Sequence, residues 1–206
     1  MDNAVALVQA YLHVNGYFTV AEYPVLEVLK HAGYRTVTDL DILAFRFPGA
    51  GKPVRSGSKT SSSHVAEAAY APDPALGVAG DQTDMLIAEV KEGSAQMNIG
   101  ATDPITLKVA LARFGCCAST DAEEVARTLL RKGQIVLSSG HNLRIVAFGS
   151  VKAEVTKPYL MISLGHVLGF LQDYIRQNWE FVRYAQFKDP VFGFLVTIEK
   201  AMQGTI

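Results

Sequence analysis

Asp84-Met85-Leu86-Ile87-Ala88-Glu89-Val90-Lys91 is the stretch on which the reading of this chain turns. Side chains alternate faces along a strand, so Leu86, Ala88 and Val90 share one face and Met85, Ile87, Glu89 and Lys91 the other. Both faces begin apolar, as in a central strand covered on both sides. A carboxylate and an ammonium then end the run, two residues apart on one face. The run Tyr34 to Phe47, which contains TVTDLDILAFRF and stops at Pro48-Gly49, has the same character. There, strict alternation puts Leu40, Ile42 and Ala44 on one face and Asp39, Asp41, Leu43 and Phe45 on the other.

Acidic groups on faces that are otherwise apolar demand a reason. A buried, unpaired carboxylate costs several kcal/mol or shifts its pKa until it is neutral. A bound cation offsets that cost, and magnesium takes oxygen ligands, with one or two carboxylates and several waters. Lys91, on the same face as Glu89, would stabilise charge on a phosphate or orient an attacking water. The competing reading is a structural ion pair at the strand end, with Asp39 or Asp41 joining it.

Outward from these strands, Val5, Leu7, Val8 and Leu12 have helical spacing that Asn15-Gly16 ends, and Tyr17 to Val25 is aromatic and β-branched, as in a strand. Residues 48–83 are rich in Gly, Ser and Pro and read as a long loop. Asp103-Pro104 opens a helix to about Phe114, and Thr120 to Glu123 fits a capping box for a helix over 121–132, closed by Gly133. Gln134 to Leu137 and Leu143 to Phe148 read as strands joined by a hairpin turn. From Pro158 to Tyr184 the spacing is helical, and Asp189-Pro190 starts a last helix. This order predicts an α/β fold with a mixed central sheet flanked by helices. The expected division is an α/β core over 1–155 and a helical C-terminal extension over 156–206 packed on it.

The strands Thr38-Asp39-Leu40-Asp41-Ile42-Leu43-Ala44 and Ile87-Ala88-Glu89-Val90-Lys91 resemble the PD-(D/E)XK, or restriction-endonuclease-like, superfamily. The likeness is nearest to its Holliday-junction-resolvase-like branch, and the first helix ending in Asn15-Gly16-Tyr17 also resembles the start of that core. It covers residues 3–150. It implies a restriction-endonuclease-like sheet and metal-dependent phosphodiester hydrolysis of nucleic acid, DNA in the first place, with Mg2+ or Mn2+ as cofactor. Asp41 and Glu89 would ligate the metal with the carbonyl of Val90, and Lys91 would assist the attacking water. Asp39 is the alternative first aspartate, and Gln96 stands where some branches place a helper glutamine. The chain departs from the pattern in its first helix, where many members carry a glutamate: here it offers Asp2, Asn3 and Gln9, while Glu22 lies in the next strand. Some members keep the fold without catalysis, so a non-catalytic nucleic-acid-binding or assembly protein is the second reading.

Composition bounds these expectations. The chain has 206 residues, 49% of them hydrophobic and 19% charged, with a formal net charge of -1. A protein that lives on non-specific phosphate contacts is basic overall, so any nucleic-acid binding here must come from a local patch. Lys52, Arg55 and Lys59, in the loop between the two motif strands, are candidates for one. No G-x-x-x-x-G-K-[ST] occurs, which argues against a nucleoside-triphosphatase. The adjacent Cys116 and Cys117 suit neither a disulfide nor zinc. The five histidines, His141 and His166 among them, show no paired ligand spacing. The apolar stretches are too short to span a membrane, and Met1-Asp2-Asn3 lacks a basic start, so a cytoplasmic location is expected. The large apolar residues between Leu160 and Phe181 predict packing on the sheet, and a homodimer through the C-terminal helices is the alternative use of that surface.

Overall fold

A computed structural model describes residues 2–28, 33–50, 72–152 and 157–204. Helix α1 (Asn3–Val14) opens on Asp2, whose side chain accepts from the Ala4 N–H at 2.8 Å, and gives way at Gly16, where φ is 79°. Strands β1 (Phe18–Val28), β2 (Tyr34–Arg46) and β3 (Asp84–Ala95) follow as an antiparallel meander. Helices α2 (Pro104–Phe114) and α3 (Ala122–Lys132) and strand β4 (Gln134–Val136) lead to β5 (Asn142–Lys152), which lies parallel to β3. The sheet order is β1-β2-β3-β5-β4, a mixed α/β sheet flanked by helices.

Two apolar clusters hold the layers together. Val5, Val8 and Leu12 of α1 pack with Ile42, Leu86, Val146 and Phe148 on one face of the sheet. Leu107, Leu111 and Leu129 of α2 and α3 pack with Leu43, Met85, Ile87 and Ile145 on the other. β3 is therefore covered on both sides, as its two apolar faces predict.

The C-terminal segment is not purely helical. Leu160–Ser163 forms β6, paired parallel to β5, before α4 (Leu164–Gln177), α5 (Trp179–Val182) and α6 (Pro190–Gln203). The expected helix from Pro158 starts later because Ser163 caps α4, its hydroxyl accepting from the His166 N–H at 3.1 Å. Val167, Leu171, Ile175, Phe192 and Val196 lie in the same cluster as α1, so residues after 156 complete one face of the core. Along α6, Phe194, Ile198 and Met202 stay exposed at four-residue spacing, the surface on which the dimer expectation turns.

The capping box expected at Thr120 does not form. Asp121 is the N-cap residue, with no side-chain cap bond, and Glu123 pairs with Lys108 and Arg127 instead. Pro74–Leu76 forms a short 3-10 helix within the expected loop over 48–83, while residues 51–71, with Lys52, Arg55 and Lys59, lie outside the described residues. Among the described residues no helix is long and apolar enough to cross a membrane, and both cysteines are free.

Candidate metal centre

The ladder between β2 and β3 runs from Arg46↔Asp84 to Ile42↔Ala88 and ends there. The next residues, Asp41 and Glu89, sit where the two strands part. β1 is irregular at the same level. Its pairing with β2 continues from Phe18↔Phe45 to Val25↔Thr38 but omits Glu22 and Asp41, and Glu22 has φ 51°. This irregularity corrects the parity assigned to β2: Leu40 packs with Leu43, Met85 and Ile87 rather than with Ile42 and Ala44. The β1 pairing is interrupted at Asp41, and strict alternation fails across it.

A third local feature shapes the far side of the site. β3 bulges between Lys91 and Ser94 against β5. Gly149, the register partner of Lys91, allows this close approach, because a Cβ there would stand 2.4 Å from the Ala95 nitrogen.

The strand fork opens a cleft of about 620 Å³ lined by Asp2, Val5, Glu22, Pro24, Asp39, Asp41, Val90, Lys91 and Glu92. Asp41 Oδ2 accepts the Val90 N–H at 2.8 Å. Lys91 Nζ donates to Glu89 Oε1 at 2.5 Å. Glu89 is 1% exposed, and its Oε2 is buried with no hydrogen-bond partner. The Lys91 side chain is 38% exposed, so its ammonium reaches from the buried Glu89 toward solvent at the cleft wall.

Burial dominates the electrostatics. It pushes the Glu89 carboxyl up to about 7; the Asp41 charge adds to the rise, and the Lys91 ammonium opposes it. Burial also raises the Asp41 carboxyl, against the Val90 N–H bond and the Lys91 charge. For Lys91, burial favours the neutral amine, but Glu89 and Asp41 outweigh it and hold the ammonium above its ordinary pKa. Lys91 is therefore held as a cation beside the two carboxylates.

The structure thus brings Asp41, Glu89, Lys91 and the Val90 peptide together, with the exposed Asp39 on the cleft. It does not bring Gln96 there: that residue is exposed, beyond the β3 bulge and the end of the strand, and it does not line the cleft. Among the described residues no three His, Cys, Asp or Glu side chains already form a metal cage. Two carboxylates, one with a buried oxygen lacking a partner, suit a hard cation that keeps most of its waters better than a structural zinc site.

Two buried polar networks were not legible in the motifs. Asp84 receives Arg144, Asn142 and the Tyr17 hydroxyl at the other end of β3. Asp73 receives the Tyr11 hydroxyl at 2.7 Å and stands 2.6 Å from His166 Nε2, which joins the 3-10 turn to α4. His166 thus has a carboxylate partner. Burial pushes the Asp73 carboxyl up, but the bonds from Tyr11, the Ala75 N–H and His166 more than offset it and leave it below its ordinary value.

The chain matches no family model, and comparison with curated proteins and with solved structures gave no significant match.

Proposed function

We propose that this protein is a divalent-metal-dependent phosphodiesterase acting on nucleic acid, DNA before RNA, with a restriction-endonuclease-like core. The observation that carries this reading is Glu89 Oε2, buried without a partner on a side chain held by Lys91 beside Asp41. Folding alone gains nothing from that oxygen, and an unsatisfied buried acceptor costs stability. The mixed sheet, the sequence motifs and the exposed end of Lys91 support the same reading.

The cleft also explains why a cation is needed. Among the described residues, Asp2, Glu22, Asp39, Asp41 and Glu92 line it against the single cation Lys91. A phosphodiester would be repelled from such a surface. Asp41 and Glu89 would hold Mg2+ or Mn2+, with the Val90 peptide beside them; bound there, the metal supplies Lewis acidity and lowers the pKa of a bound water. Asp41 is oriented for this by the Val90 N–H. Lys91 offers cationic N–H donors to the charge developing on the phosphate oxygens. In the reaction a water oxygen bonds to phosphorus and the bond from phosphorus to the leaving sugar oxygen breaks. A proton passes from the attacking water to solvent, and the leaving oxygen takes one up.

Titration of MgCl2 and MnCl2 into the protein by calorimetry, with Glu89→Gln alongside, tests the centre. Cleavage of a panel of duplex, branched and single-stranded DNA and of RNA tests the activity. Absence of metal binding overturns the proposal. Metal binding without cleavage of any substrate returns the non-catalytic nucleic-acid-binding reading.

A further inference from the structure

We propose that the cavity between α1, α4 and the start of α6 binds a small quaternary ammonium ion. The cavity measures about 210 Å³ and is lined by Ala10, His13, Val14, Tyr174, Phe187, Asp189 and Phe192. None of these residues lines the Asp41 cleft, so the inference stands apart from the metal-dependent reading.

Aromatic rings make the walls. Phe187 and Phe192 meet edge to face, with centroids 4.6 Å apart and planes at 79°. Tyr174 stands 6.1 Å from Phe192, with planes at 59°. Rings inclined in this way form the sides of a box rather than a stack, and ring faces attract cations. Gly193 lets the segment that carries Phe187 lie close to α6, because a Cβ there would stand 3.2 Å from the Phe187 carbonyl oxygen. The floor is apolar and buried: Ala10 is 1% exposed and Phe192 4%.

The charge at the rim is complementary to a cation. Asp189 Oδ1 accepts the Phe192 N–H at 2.7 Å and caps α6. Its Oδ2 lies 3.7 Å from His13 Nδ1, beyond hydrogen-bond reach. His13 Nε2 is engaged elsewhere, 2.7 Å from Thr19 Oγ1. The carboxylate carries a full negative charge against the roughly half positive charge of the helix end that it caps. The neighbouring cation, Lys188, is exposed and does not line the cavity.

The shape of this site selects among cations. A metal ion or a primary ammonium needs several oxygen acceptors. One carboxylate above aromatic and aliphatic walls does not supply them. A quaternary ammonium has no N–H to satisfy, and its methyl groups suit the walls. The cavity is also smaller than the roughly 300 Å³ at which pockets for drug-sized ligands begin, which fits an ion of headgroup size.

The experiment is titration of choline chloride and tetramethylammonium chloride into the full chain, followed by calorimetry and saturation-transfer NMR. The comparator is 3,3-dimethylbutan-1-ol, which has the shape of choline with a neutral carbon in place of the nitrogen. Both cations are expected to bind in the millimolar range or tighter, and the neutral alcohol at least about tenfold more weakly than choline, as a partly desolvated cation on aromatic faces implies. Asp189→Asn keeps an oxygen for the Phe192 N–H and removes the charge, so it should weaken choline binding by about fivefold or more at a nearly unchanged thermal midpoint. Phe187→Leu keeps apolar bulk but removes a ring and should weaken it by a similar factor. Glu124→Gln, exposed on α3 across the sheet, is the charge control and should bind as the unaltered protein does. Binding of the alcohol within about twofold of choline would leave no part for the cation and overturn the proposal. Choline binding unchanged in both Asp189→Asn and Phe187→Leu would place the ion elsewhere and overturn it equally, as would no binding of either cation up to tens of millimolar.

Discussion

The Val90 N–H donates to Asp41 Oδ2 across 2.8 Å, just beyond the last ladder pair of β2 and β3. A side chain therefore takes over where main-chain pairing stops. It keeps the two motif strands close enough for the charges of Asp41, Glu89 and Lys91 to act on one another.

This bond separates the structural from the chemical work of Asp41. Asp41→Asn keeps an oxygen for the Val90 N–H but loses the charge. It is expected to fold with near-normal stability in urea denaturation and to lose most of its Mg2+ or Mn2+ affinity. Asp41→Ala leaves the Val90 N–H without its partner and should cost about 1–3 kcal/mol as well. Equal metal affinity in the unaltered protein and Asp41→Asn would remove Asp41 from the centre.

Lys91 should behave in the opposite way. It contributes charge at the phosphate and is not a metal ligand, so Lys91→Ala is expected to retain metal binding. Its cleavage rate should fall by roughly a hundredfold to a thousandfold, the usual loss of one donor aimed at developing negative charge. Lys91→Arg keeps the charge and should retain more activity than Lys91→Ala. The comparison requires kcat and metal affinity on the same preparations, and cleavage unchanged in Lys91→Ala would exclude the assigned role.

The pH dependence of stability follows from Glu89. Its pKa rises from the ordinary 4.5 to about 7 in the folded, metal-free protein, chiefly through burial. Between those values the folded state keeps a proton that the unfolded chain has released. Stability attributable to Glu89 therefore falls as pH rises through this window and levels off above it. The full effect is on the order of 3 kcal/mol. Glu89→Gln should remove it, so the stability difference between the unaltered protein and the variant should change in the variant's favour between about pH 4 and about pH 8, conditions that bracket this window. Urea denaturation without metal reads this directly, and a difference independent of pH contradicts the burial account.

The motif strands were legible because their pattern is strong: β3 is apolar on both faces, and its two charges share one face, as their contact bears out. The break in alternation at Asp41 was not legible. Alternation assumes a regular strand, whereas Leu40 changes face at an irregularity set partly by Glu22 on the neighbouring strand. β6 was missed because Leu160, Ile162, Leu164 and Val167 run into a helix without a break in hydrophobicity. Ser163, a good cap residue before His166, was the available signal. The Asp84 network stayed hidden for a different reason: its members, Tyr17, Asp84, Asn142 and Arg144, are far apart in the chain and share no local motif.

That network yields the last prediction. Asp84 and Glu89 begin and end the same apolar run, yet their surroundings are opposite. Asp84 receives Arg144 Nε at 2.9 Å and Nη2 at 2.6 Å, Asn142 Nδ2 at 2.8 Å and the Tyr17 hydroxyl. Arg144 Nη1 also donates to the Leu76 carbonyl at 2.6 Å. Both carboxylate oxygens of Asp84 are answered from within the fold, so this acid calls for no cation. Removing it strands a buried guanidinium, and Asp84→Ala should cost about 3–5 kcal/mol. Replacing both partners, as in Asp84→Ala with Arg144→Met, should recover part of that loss, because the uncompensated charge is gone. Five residues of strand place Asp84 about 17 Å from Glu89, and the double variant removes a carboxylate together with its guanidinium partner, so the net charge seen from Glu89 is unchanged. Metal affinity measured under folding conditions should therefore be the same in the double variant as in the unaltered protein. A loss of metal binding comparable to that of Glu89→Gln would show that the two ends of β3 are coupled and that the Asp84 network is part of the site.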